Sequence, residues 1–166
     1  MTLRKIALHP GDFYFTQEKV IMHTLLGSCI AIVIWHPKYK FGGMCHFMLP
    51  KHSNAKSNLL NGRFAEDAFE MFRLAIAQHN TYTKDYEVSV FGGGIMNPRA
   101  FKEESSIGEI NSLITEELLK KQNFNVKEQD LRGNKTRRLS FNTNTGAIIT
   151  KYIKHVTAEN VQGCNQ

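Results

Sequence analysis

Cysteine is scarce: the 166 residues hold three, Cys29, Cys45 and Cys164. So sparse and odd a set excludes a disulfide framework. Long apolar runs are missing as well, so no membrane insertion is expected. The first residues lack the basic, apolar and small-residue succession of a signal peptide, which makes the cytoplasm the expected location. Dense charge of one sign is also absent. The formal charge of +6 is spread along the chain, and its tightest cluster, Lys135-Thr136-Arg137-Arg138, has no interleaved aromatics. That argues against a nucleic-acid partner and suits an acidic protein surface better. There is no internal repeat and no GxGxxG, and no Lys-Ser/Thr follows Gly92-Gly93-Gly94, so a close-packed turn is expected there rather than a phosphate loop.

What is present suits a globular chain with a real core: 42% hydrophobic and 22% charged residues. Residues 1–156 are expected to form one domain and the polar residues 157–166 a disordered tail. Short strand patterns fall at 3–8, 12–15, 19–25, Ile30–Trp35 and Met44–Leu49, with the pair Gly42-Gly43 in the connection before the last. Residues 51–61 are polar and aperiodic, long enough for a mobile flap. Phe64, Ala68, Met71, Phe72 and Ala75 then recur at helical spacing, widened by Phe69 and Ile76, and predict a helix over 62–79. A strand at Glu87–Phe91 runs into the glycine run. A second helix starts at the capping box Ser106-Ile107-Gly108-Glu109, with Ile107, Ile110, Ile114 and Leu118 as its apolar face to about Gln122. Strand patterns at 124–129, 137–142 and 147–153 follow, separated by turns at Arg132-Gly133-Asn134 and Asn144-Thr145-Gly146. Eight or nine strands and two helices in mixed order predict an α+β layered sandwich of mixed, mostly antiparallel sheets flanked by the two helices.

Chemistry concentrates between Thr24 and Pro50. Gly27-Ser28 allows a sharp turn into Cys29 and can present backbone N–H groups beside the sulfur, the donors a tetrahedral oxyanion needs. His46 stands in the next strand. A thiol with a positioned base is the minimum for nucleophilic acyl chemistry, and an activated Cys29 should alkylate faster than Cys164 near neutral pH. The plainer reading makes Cys29 a small buried apolar residue and His46 a satisfied core histidine. A metal site of Cys29, His36, Cys45 and His46 fits no common zinc spacing, and adjacent strand residues face opposite ways. His9, His36, His52, His79 and His155 belong to no constellation and read as surface or structural.

Leu26-Gly27-Ser28-Cys29, the Gly-Gly pair, His46-Phe47-Met48-Leu49-Pro50, the glycine-rich strand end, the SSIGEIN helix start and the terminal RGNKTRR segment together resemble the CheD family across residues 5–153. The resemblance implies a CheD-like sandwich and a cytoplasmic chemoreceptor glutamine deamidase of bacterial chemotaxis, with a Cys-His-Thr triad and no cofactor or metal. Cys29 matches the nucleophile, His46 the base, and Gly27 and Ser28 the substrate-binding turn. The family's threonine stands six residues before its cysteine, where this chain has His23; Thr24 is one residue closer. A one-residue shift on a strand reverses the side chain's face. The third role therefore falls to Thr24 through a bulge, to His23, or to neither. The implied partners are the cytoplasmic region of a methyl-accepting chemoreceptor and a CheC-type phosphatase; residues 95–105, a loop with apolar residues after the glycine run, are the candidate contact for the phosphatase. The competing reading is a non-catalytic CheD-like module that regulates by binding receptor or phosphatase.

Overall fold

The computed structural model describes residues 2–52, 59–97 and 106–153. The candidate flap's residues 53–58, the contact's 98–105, and the tail lie outside them. The strands are β1 (Arg4–Ala7), β2 (Phe13–Thr16), β3 (Val20–Leu26), β4 (Ile30–His36), β5 (Phe41–Phe47), β6 (Glu87–Gly92), β7 (Asn125–Leu131), β8 (Thr136–Asn142) and β9 (Ile148–Ile153). The helices are α1 (Ala65–Gln78) and α2 (Ile107–Lys121). This is the expected α+β sandwich.

One sheet has the order β1-β3-β8-β9 and the other β2-β5-β4-β6-β7. Among the described strands, β1/β3 and β6/β7 pair in parallel and the other pairs are antiparallel. β4 explains the layering. Its even residues Ile30, Ile32 and Ile34 join a cluster with Phe69, Phe72, Ile114 and Leu118 of the helices. Its odd residues Ala31 and Val33 join Met22, Leu26, Leu139 and Phe141 of the four-stranded sheet. A strand buried on both faces reads as a continuous apolar run, and IAIVIW is one.

Two details differ from expectation. Gly42 and Gly43 are not a connection but lie inside β5, between two backbones. A Cβ on Gly42 would stand 2.0 Å from the Ile34 carbonyl oxygen, and one on Gly43 2.4 Å from that of Tyr14. Glycine marks such close approach within a strand. On α2, Ile114 and Leu118 are buried, but Ile107 and Ile110 are exposed, and the inward face of the first turns is small and polar: Gly108, Asn111, Ser112 and Thr115. Ser106 caps the helix, its Oγ accepting the Glu109 N–H at 3.1 Å, while the Glu109 carboxylate accepts from Arg132.

Candidate active site

The site forms where the chain crosses from one sheet to the other. β3 alternates cleanly: Val20, Met22, Thr24 and Leu26 are buried, while Ile21, His23 and Leu25 are not. Its register with β8 runs unbroken from Ile21 to Leu26. Thr24 therefore faces the inter-sheet layer without any bulge, and His23 faces away from it. On β5, Phe41, Cys45 and Phe47 pack in the helix-side cluster and Met44 in the inter-sheet one, so His46 points between the sheets toward Thr24. The turn before β2 fixes the His46 backbone: Gly11 N–H donates to its carbonyl at 2.7 Å, and its own N–H donates to Asp12 O at 2.9 Å.

Thr24 Oγ1 lies 2.7 Å from His46 Nδ1 and 2.7 Å from the Leu8 carbonyl oxygen. The carbonyl only accepts, so the single hydroxyl proton goes to Leu8 and Oγ1 accepts from the imidazole. Nδ1 then carries the ring proton and Nε2 is bare. That nitrogen is buried and has no partner among the described residues. Burial is the main force on the ring and holds its pKa below 6.5, against a smaller pull upward from the Leu8 carbonyl and Asp12.

Cys29 sits just before β4, half-buried against the inter-sheet cluster. Since Ala31 pairs with His46, Cys29 is the diagonal neighbour of His46 on the same face, a separation that a side chain as long as histidine spans. Burial pushes the Cys29 thiol above its ordinary 9.0, opposite in direction to the His46 imidazole, so for both groups it disfavours the charged form. Cys45 is separated from this chemistry: it faces the helices, fully buried, its thiol pushed up to about 12. His36 is enclosed by Tyr39, Phe41 and Tyr86 at the other end of β4. The structure does not bring the four candidate metal ligands together.

The turn that carries Cys29 is held by its carbonyls. Gly94 N–H donates to Gly27 O and Gly93 N–H to Cys29 O, each at 2.9 Å, while Asn111 Nδ2 donates to Ser28 O at 3.1 Å. Trans peptides place each N–H opposite its carbonyl. The Ser28 and Cys29 N–H groups thus point away from these anchors, and among the described residues neither has an acceptor. Gly92 and Gly93 adopt φ of 117° and 66°, and a Cβ on Gly92 would stand 2.1 Å from Cys29 O. A phosphate cradle is not what the glycine run makes; it is the backing of the thiol turn. An open, mostly apolar cleft of about 310 Å³ lies alongside, lined by Ser28, Gly94, Met96, Ile107 and Ile110 among others. Sequence reasoning missed Asn111. The available signal was polar residues at helical spacing on the face of α2 that packs inward.

Fold and site define a class: an α+β sandwich that sets a cysteine, a histidine and a threonine around one inter-sheet crossing. The family model for CheD chemotactic sensory transduction matches residues 48–152, a span that begins just past His46. Three relatives cover the preceding part as well. The probable chemoreceptor glutamine deamidase CheD 3 of Dechloromonas aromatica (strain RCB) is 32% identical over 95% of this chain and 92% of its own. The probable chemoreceptor glutamine deamidase CheD of Pseudomonas syringae pv. tomato is 36% identical over 89% of each chain. The probable chemoreceptor glutamine deamidase CheD 1 of Leptospira interrogans serovar copenhageni is 33% identical over 93% of this chain and 96% of its own. The chain belongs to the CheD family.

Proposed function

We propose that this protein is a chemoreceptor glutamine deamidase in chemotaxis signalling, acting in the cytoplasm through Cys29, His46 and Thr24. The observation that carries the reading is the Thr24–His46 hydrogen bond, which leaves Nε2 bare on the face that Cys29 shares. The names of its relatives support the substrate.

His46 Nε2 takes the thiol proton as Sγ attacks the carboxamide carbon of a receptor glutamine. The oxyanion is stabilised by the Ser28 and Cys29 N–H groups. His46 returns the proton to the leaving nitrogen, ammonia departs, and a thioester remains. Water, deprotonated by His46, attacks the thioester, and glutamate is released with the thiol restored. Because burial disfavours the charged form of both groups, the proton moves during attack rather than beforehand.

The apolar rim of Met96, Ile107 and Ile110 serves as the docking face for the receptor's cytoplasmic region and for a CheC-type phosphatase competing for it. The non-catalytic alternative drew its sequence support from His23 in the threonine's place. Thr24 against His46 favours the catalytic reading, since it offers the imidazole a hydroxyl partner without His23.

Mass spectrometry of a receptor cytoplasmic fragment after incubation with wild type or Cys29→Ala tests the proposal. Glutamine converted to glutamate with wild type alone is expected. No conversion on receptors that measurably bind would reinstate the regulatory module.

A further inference from the structure

We infer that Asn111 is a positioning residue that aims the Cys29 N–H as an oxyanion donor and locks the thiol turn to the strand end beyond His46. The inference rests on the deamidase reading of this site. Asn111 is wholly buried on α2. Its Nδ2 donates to two carbonyls at once, Ser28 O at 3.1 Å and Met48 O at 3.0 Å. One precedes the nucleophile; the other lies two residues after His46. Both partners can only accept, so the amide orientation is fixed by chemistry, and a nitrogen with two protons is what the position requires.

The cost of that choice is visible. Asn111 Oδ1 is buried and lacks a partner among the described residues. An unpaired buried acceptor is unfavourable, and a leucine of similar volume would avoid it. A residue kept merely to fill the helix–sheet interface has no reason to be an amide. The peptide plane supplies the reason. Gripping Ser28 O sets the Ser28–Cys29 plane, and in a trans peptide that sets the direction of the Cys29 N–H. Gly93 and Gly94 secure the carbonyls on either side by backbone donors, so the Ser28 carbonyl depends on the side chain of Asn111.

The test separates acyl transfer from bare thiol reactivity. Acylation of Cys29 by p-nitrophenyl acetate passes through a tetrahedral oxyanion; alkylation by iodoacetamide does not. Both rates are measured at pH 9 on wild type, Asn111→Ala and Asn111→Leu, with the Cys29→Ala background subtracted and the alkylated residue identified by mass spectrometry. The acylation-to-alkylation ratio is expected to fall roughly 10-fold or more in both variants, since removing one oxyanion donor outright costs ~10²–10³-fold. Alkylation should stay within about twofold, and kcat for glutamine conversion should fall with the ratio while KM holds. An unchanged ratio overturns the inference. So does an equal fall in both rates, or loss of fold in both variants, because either assigns Asn111 to structure alone. Wild type that acylates but converts no receptor glutamine would overturn the deamidase reading instead, with the ratio still deciding Asn111.

Discussion

At the scale of single residues, the site is governed by which atom holds a proton. Thr24 has one hydroxyl proton, and Leu8 O takes it. Replacing Thr24 with Val removes the acceptor for Nδ1–H, so the ring loses its tautomer preference and its orientation. We expect kcat to fall by roughly 10–100-fold, part of the ~10²–10⁴-fold that a positioned base supplies. Thr24→Ser should keep most of the activity, and His23→Ala should stay within about twofold of wild type. Equal losses from the Val and His23 replacements would sink this assignment of roles. The pH profile has a definite sign. Burial disfavours the imidazolium, so the neutral base persists to lower pH than a solvated histidine, and the acid limb of kcat/KM should lie below 6.5. The thiol moves the other way, and Cys29 alkylation should be slow at neutral pH and rise only in the alkaline range, above 9.0. In the sequence Cys29 stood out as a candidate by the Gly27-Ser28 turn before it, and His46 as a polar residue within an apolar strand. The choice between His23 and Thr24 was not legible there, since it depends on which face of β3 meets the second sheet.

At the scale of elements, the glycine run and the first turn of α2 act as one support for the thiol turn. A Cβ on Gly108 would stand 2.4 Å from Gly94 O and 2.7 Å from Gly93 O, both backbone atoms that cannot move aside as a side chain can. Glycine to alanine inside a helix ordinarily stabilises by up to about 1 kcal/mol. Here the overlap wins, and Gly108→Ala is expected to destabilise by about 1–3 kcal/mol, as other overpacked interiors do. A urea midpoint that rises would contradict it. Turnover should fall further than stability, because Gly94 N–H anchors Gly27 O. The same element shows the limit of reading periodicity. Ile107, Ile110, Ile114 and Leu118 fit a helical stripe, but only the latter two reach the core, while Gly108 and Ser112 meet the glycine run and Asn111 the thiol turn. Hydrophobic spacing finds the face that packs; it does not see a face built for backbone contacts. Gly42 and Gly43 taught the same lesson in β5, where close backbone approach looked in sequence like a turn.

At the scale of the whole molecule, the support is tied to the rest of the fold by charge. Arg132 reaches both Glu109 and Glu116 of α2, so the segment between β7 and β8 is fastened to the helix that carries Asn111. Arg137, its side chain 1% exposed, forks onto Asp130 with two bonds of 2.9 Å and also donates to the Arg132 carbonyl. Arg137 of β8 belongs to the four-stranded sheet and Asp130 of β7 to the five-stranded one, so the pair joins an inner strand of the first to the edge strand of the second. Arg137→Met should therefore destabilise by about 3 kcal/mol, the low end for breaking a buried pair because Asp130 keeps some solvent. Unfolding should remain one transition if residues 1–156 form the single unit we propose. The pH dependence identifies the source of the loss. The Arg137 guanidinium holds the Asp130 carboxyl below its ordinary 3.8. Its contribution is therefore complete above that pH and disappears as pH falls through the lower, folded-state value. The gap in urea midpoint between wild type and Arg137→Met should stay constant from neutral pH down to about 4 and narrow only below it. A gap that persists unchanged at pH 2.5 would show that the arginine acts through packing and its carbonyl partners, and the cross-sheet ion pair would lose its role in stability.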